Sequence, residues 1–132
     1  PEPSEFKALR ATPTQGDVPD EHAYEYVRLL YNVSRPSRGK QGKKEASLIK
    51  RYGGMVALVR CSEYGSQKTR SMACKVMRNL VFHSDMRLPL LHAGGASALA
   101  VQLKAKNVQD QYNAMEVLDL CAQRCFAHQQ EI

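Results

Sequence analysis

The stretch Ile49-Lys-Arg-Tyr-Gly-Gly-Met-Val-Ala-Leu58 returns 41 residues later as Leu90-Leu-His-Ala-Gly-Gly-Ala-Ser-Ala-Leu99. The correspondence runs on through Ala73 and Ala114, Val76 and Val117, and Met77 and Leu118. Each copy reads as a short helix, a Gly-Gly turn, a second helix and then a long one. A self-similar helical period in the forties is the mark of a stacked-helix solenoid, in which each unit buries its apolar face by packing on the next. Proteins built this way hold partners rather than turn over substrates.

Working outward from the first copy, the pattern predicts helices over Glu45 to Tyr52, Met55 to about Glu63 and Gln67 to His83, with a loop at Tyr64-Gly65-Ser66. Ser84 is placed to cap a short helix ending at His92, which Pro89 makes bent or one turn long. Ala96 to about Lys104 repeats the second helix, and Asn107 or a neighbour opens a last long helix to about Phe126. Upstream, Asp20 is a candidate cap for a helix from Glu21 to Ser34, with Tyr26, Leu29, Leu30 and Val33 on one face. Pro1 to Pro19 holds four prolines and predicts one short helix, Ser4 to about Ala11, followed by loop. Arg35 to Lys44 has no apolar residue, two glycines and five positive charges, and reads as a mobile basic loop. The resulting organisation is an N-terminal extension (1–19), a partial unit (20–34), a basic loop (35–44), two repeats (45–83 and 84–124) and the start of a further unit (125–132).

At 132 residues and 43% apolar content the chain can form one core without disulfides or metals. Runs such as Met55 to Val59 fall far short of the roughly 20 residues a membrane span needs. No signal peptide opens the chain, so cytoplasm or nucleus is the expected compartment. It begins at Pro1 rather than methionine, which points to a piece of something longer. Cys61, Cys74, Cys121 and Cys125 sit among apolar neighbours and read as reduced small hydrophobes. The net charge of +6 hides a gradient: residues 1–23 carry two basic and five acidic groups, 24–106 sixteen against four, and 107–132 one against four. A basic middle between acidic ends suggests a positive surface offered to an acidic partner.

The units resemble armadillo repeats. That family's Gly-containing turn, Leu-rich helix and long helix with an Ala-x-x-Ala-Leu-x-Asn-Leu core are matched by Gly54, Leu58 and Ala73-Cys-Lys-Val-Met-Arg-Asn-Leu80. Asn79 falls on the signature asparagine, Asn32 takes that place in Tyr26-Val-Arg-Leu-Leu-Tyr-Asn-Val33, and Leu120 replaces it in the last long helix. The resemblance covers about residues 20–132 and implies an all-α, right-handed α-solenoid. Its long helices would line a concave groove that clamps an extended peptide. Carried over residue by residue, the groove would present Tyr24, Arg28, Tyr31 and Asn32, then Ser71, Lys75, Arg78 and Asn79, then Tyr112, Glu116, Asp119 and Leu120. The family often has tryptophan where Arg28, Lys75 and Glu116 stand, and this chain has none. Two of the three groove units are basic, which disfavours lysine-rich import signals and favours an acidic or phosphorylated peptide. Adaptors of this kind serve in cytoplasm, nucleus, and cytoskeletal or ciliary structures.

Each of these features also has a plainer reading. Arg28, Lys75 and Arg78 fit a solvated helix face, and Asn32 and Asn79 fit hydrogen bonds to a neighbouring repeat. The 35–44 segment fits an import signal, a nucleic-acid tether or a passive insertion. Nucleic-acid binding needs only the clustered cations, but no aromatic residues interleave with them for base stacking. Cys121, Cys125 and His128 share a helix face at metal-ligand spacing, yet Cys121 aligns with core Leu80 and no fourth ligand is evident. His83-Ser84-Asp85 names catalytic residue types without their geometry. The sequence thus predicts a non-catalytic scaffold with no metal or cofactor. In a second structural reading the domain extends a longer solenoid, and Leu118, Cys121 and Phe126 pack on further repeats or on a second copy.

Overall fold

The computed structural model describes the backbone of residues 20–130 and the side chains of residues 21–123. The short helix expected over Ser4 to Ala11 and the side chains of Cys125, Phe126 and His128 lie outside them. The described chain is all-α: α1 (Asp20–Val33), α2 (Lys40–Arg51), α3 (Gly54–Tyr64), α4 (Gln67–Val81), α5 (Arg87–His92), α6 (Gly95–Leu103) and α7 (Val108–Gln130), with one-turn 3-10 helices at Pro36–Arg38 and Ser84–Met86.

The two glycine doublets do the same work in each repeat. Gly53 and Gly94 sit at φ +78° and +96°, the left-handed region where a side chain strains the backbone. Their successors Gly54 and Gly95 are held by contact instead. A Cβ on Gly54 would lie 2.7 Å from Ile49 Cγ2, and one on Gly95 2.8 Å from the Leu90 carbonyl oxygen. Each doublet therefore turns the chain and lets the next helix press directly on the last turn of the one before.

The long helices α1, α4 and α7 then pack side by side, and α3 packs on α6 behind them. Cross-contacts fix their direction. Lys68 meets Tyr24 near the starts of α4 and α1, while Asn79 meets Tyr31 and Ser34 near their ends. Ser71 meets Asp110 and Arg78 meets Asn113 in the same ascending order, so all three helices run parallel. In the second layer the Gln102 amide donates to the Ser62 carbonyl at 2.7 Å, across 40 positions of sequence. Val27, Ile49, Leu58, Val76, Met77, Leu80, Leu90, Leu99 and Val117 fill the core between the layers.

Several sequence expectations are corrected. The segment 35–44 is not a loop, because α2 begins at Lys40. Gly42 opens the buried stripe Gly42, Ala46 and Ile49 at i, i+4 and i+7, and a Cβ on it would come within 2.7 Å of the Arg35 carbonyl oxygen. Glycine serves there as a close-packing residue, so composition misread it as a breaker. Leu29 is 45% exposed, and α1 instead buries Ala23, Val27 and Leu30, with Ser34 just beyond its end. Ser84 starts a 3-10 turn with no side-chain cap, and Pro89 is tolerated because it lies in the first turn of α5. The last long helix, expected to end near Phe126, continues unbroken to Gln130. Cys121, expected to await a missing repeat, is buried in this chain with its sulfur 4.0 Å from the Arg87 carbonyl oxygen. Asn107 opens α7 as expected and caps it through its side chain, and Ser66, assigned by the sequence to the preceding loop, caps α4 in the same way.

Leu58 is fully buried and the adjacent Val56 is half exposed. Leu58→Ala is expected to lower unfolding stability by about 2–5 kcal/mol and Val56→Ala by well under about 1 kcal/mol, read by urea denaturation. Cys74 provides a second check. Burial, then the charge of Asp110, pushes its thiol from 9.0 up to about 12, against the weaker opposing pull of Arg78. Between those values the unfolded chain releases this proton while the folded one keeps it, so the Cys74 contribution to stability is lost as pH rises from about 9 to about 12. At pH 8 a thiol reagent should label Cys74 only after denaturant is added, followed by mass spectrometry of the Cys74 peptide.

Candidate functional site

The parallel ladder α1, α4 and α7 brings the predicted groove residues onto one succession of helices but gives them different tasks. On α1, Arg28 is exposed and bonds Glu25 of its own helix at 2.9 Å. Asn32 is exposed, not on a buried side, and accepts from Arg35 Nη2 at 3.1 Å. The Arg35 guanidinium lies 5.1 Å from the centre of the Tyr31 ring. Tyr24 carries the Lys68 ammonium 4.0 Å from its ring centroid, a cation–π contact that ties α1 to α4.

On α4, Asn79 is 4% exposed, and its Nδ2 donates to the Tyr31 carbonyl and to Ser34 Oγ, both at 3.3 Å. The signature asparagine thus joins one unit to the preceding one, and its amide donor is not directed at a peptide. Arg78 is likewise engaged: its Nη1 donates to Asn113 Oδ1 at 2.8 Å and lies 3.8 Å from Glu116 Oε2. Ser71 donates to Asp110 Oδ2 at 2.7 Å. Lys75 is half-buried and has no ion-pair or hydrogen-bond partner among the described residues. On α7, Tyr112 is 60% exposed, Glu116 faces Arg78, and Asp119 accepts from Gln123.

One open pocket unites part of the set. Arg78, Asn79, Tyr112, Glu116 and Leu120 line it together with Pro36 and Phe82. Phe82 is 59% exposed, and sequence reasoning left it out. Its position seven residues beyond Lys75, at helical spacing, was the available signal. Beside it, the buried His83 Nε2 has no hydrogen-bond partner among the described residues, and burial lowers the ring's pKa against the opposing effect of Asp85. Phe82 meets the His83 ring edge-on with centroids 5.6 Å apart.

Some of the basic charge is structural. Arg38 donates to the Val33 carbonyl at 2.9 Å and Arg87 to the Val81 carbonyl at 2.8 Å. After α1 and α4 alike, an arginine from the following stretch of chain closes the last carbonyl of the helix. By contrast Lys40, Lys43, Lys44, Lys50 and Arg51 are all exposed on α2. Among the described residues no cluster of three or more histidine, cysteine or acidic side chains is placed to hold a metal, and no helix is long and apolar enough to cross a membrane. No family model matches the chain, and no curated protein matches it either.

Asn79→Ala should cost about 1–3 kcal/mol, because it removes the amide that donates to the buried Ser34 hydroxyl and the partly buried Tyr31 carbonyl, whereas Asn32→Ala at the aligned exposed site should cost less than about 0.5 kcal/mol. Paired chemical denaturation curves decide between them.

Proposed function

We propose that this domain is a non-catalytic adaptor, a right-handed armadillo-like solenoid whose face over α1, α4 and α7 holds an extended acidic peptide. The observation that carries the reading is the parallel ladder of long helices with Lys75 uncommitted at its centre, between the Tyr24–Lys68 pair and the pocket of Phe82 and Tyr112. Exposed aromatic rings offer apolar area at low entropic cost, and a central lysine supplies charge. The acidic side chains would seat over α1 and α4, since Glu116 and Asp119 make α7 the less basic rung. Asn79 and Arg78 support this face by holding its helices together, while Tyr24, Arg28, Tyr31, Asn32, Ser71, Lys75, Tyr112 and Glu116 remain the contact set. An adaptor of this kind suits cytoplasm, nucleus or cytoskeletal and ciliary structures, and its ends suit packing on further repeats.

A second reading, nucleic-acid binding, is supported by the exposed cations of α2, which form a stripe without exposed apolar residues. Such a stripe suits duplex phosphates rather than stacked single-stranded bases.

The two are separated by a random-peptide array of graded acidity and a fluorescent DNA duplex. Lys75→Glu should weaken capture of acidic peptides by about tenfold and leave duplex binding nearly unchanged, while Lys43→Glu with Lys44→Glu should do the reverse. Acidic peptides that bind the Lys75→Glu variant as well as the parent would refute the groove.

A further inference from the structure

A second concave site lies beside the proposed groove, where the start of α4 meets the connection between α6 and α7. Gln67, Arg70, Lys104, Lys106 and Asp110 line it, together with residues at the end of α6. Arg70 comes from α4, and Lys104 and Lys106 flank the α6–α7 turn, so the folded chain brings Arg70 to a lysine pair more than 30 residues away in sequence. Among the described residues none of the three forms an ion pair or a hydrogen bond through its side chain. Asp110 is the one carboxylate on the wall. It is 3% exposed and turned toward Ser71, whose hydroxyl donates to it at 2.7 Å, so it braces the wall from behind.

Three positive charges and one negative leave the cavity with a net charge of about +2. A phosphate monoester carries about −1.5 to −2 at neutral pH, with three acceptor oxygens that lysine and arginine fit. A single carboxylate matches half that charge. Two features tie the site to the groove rather than to a free ion. Ser71 belongs to the predicted contact set and donates to a residue of the cavity wall. Lys75 lies five residues along α4 from Arg70, about 7.5 Å of helix rise and about 140° around the helix, a span of roughly 15 Å between side-chain ends that about four or five residues of extended peptide cover.

Resting on the adaptor reading above, we propose that the peptide is phosphorylated and that its phosphoryl group sits among Arg70, Lys104 and Lys106. No covalent step is involved. The site is a reader of phosphoserine or phosphothreonine, placed about four or five residues from the acidic side chain that meets Lys75.

The test uses the whole chain, isotopically labelled, and three probes: N-acetyl-O-phosphoserine N-methylamide, inorganic phosphate, and paired random-peptide arrays with central phosphoserine or serine. The blocked phosphoserine should shift the amide resonances of residues 67, 70, 104 and 106 without shifting those of α2. The phosphoserine array should bind about tenfold tighter than the serine array. Arg70→Gln with Lys104→Gln, both on the surface and checked for native helicity, should erase that preference but keep the binding of unphosphorylated acidic peptides. Lys106→Gln alone should reduce it. Acidic peptides that bind with no gain from phosphoserine would overturn this proposal and leave the groove standing. Inorganic phosphate binding as tightly as the phosphopeptides would overturn it in favour of a free-anion site. Resonance shifts spread over α2 would overturn it in favour of diffuse attraction to the basic surface. A phosphoserine preference that survives Arg70→Gln with Lys104→Gln would place the reader elsewhere and overturn it too.

Discussion

Everything in this stack depends on how closely one helix can follow another at the glycine doublets. At Gly54 the backbone is pressed against the Ile49 side chain, and at Gly95 against the Leu90 carbonyl, at distances that no Cβ would survive. The preceding residue of each pair takes the left-handed conformation that swings the chain round. Because the same two constraints act 41 residues apart, each unit leaves its turn at a similar angle. The second helices α3 and α6 then align, and so do the long helices that follow them.

The parallel ladder has a consequence for polar chemistry. Side chains that a sequence reading assigns to an outside partner are recruited to hold neighbouring units in register. Asn79 reaches back to the previous unit, while Ser71 and Arg78 reach forward to the next. Their cross-chain separations of 48, 39 and 35 positions bracket the repeat length. A buried amide left without partners would cost more than the bond it forms contributes, so these contacts fix which surfaces meet as well as how tightly. The charge that packing does not consume is chiefly Lys75 on the ladder face and the Arg70, Lys104 and Lys106 group beside it.

The basic character of the middle segment divides in the same way. Arg38 and Arg87 close helix ends, and Arg35 lies over Tyr31 and bonds Asn32. The lysines of α2 face solvent, because that helix spends its apolar stripe on Gly42, Ala46 and Ile49. A total charge therefore says little about a binding surface until each cation is assigned to a structural contact or to none.

The sequence by itself determined the helical class, the period, both Gly-Gly turns and the opening of the last long helix near Asn107. These depend on local spacing and on backbone conformations that few residue types satisfy. It also determined the buried set Ala73, Val76, Met77 and Leu80, whose spacing marks one face of a helix. It misread Lys40 to Lys44, because glycine breaks a helix in isolation and Gly42 packs here against the chain at Arg35, where a side chain would not fit. Only the tertiary structure decided that Asn79 is buried while Asn32 is exposed, since the two have like local sequence and differ in what packs above them. It alone brought Arg70 beside Lys104 and Lys106. Proximity across a repeat is set by the stacking of whole helices, and a linear pattern carries the residue types of such a site but not their meeting.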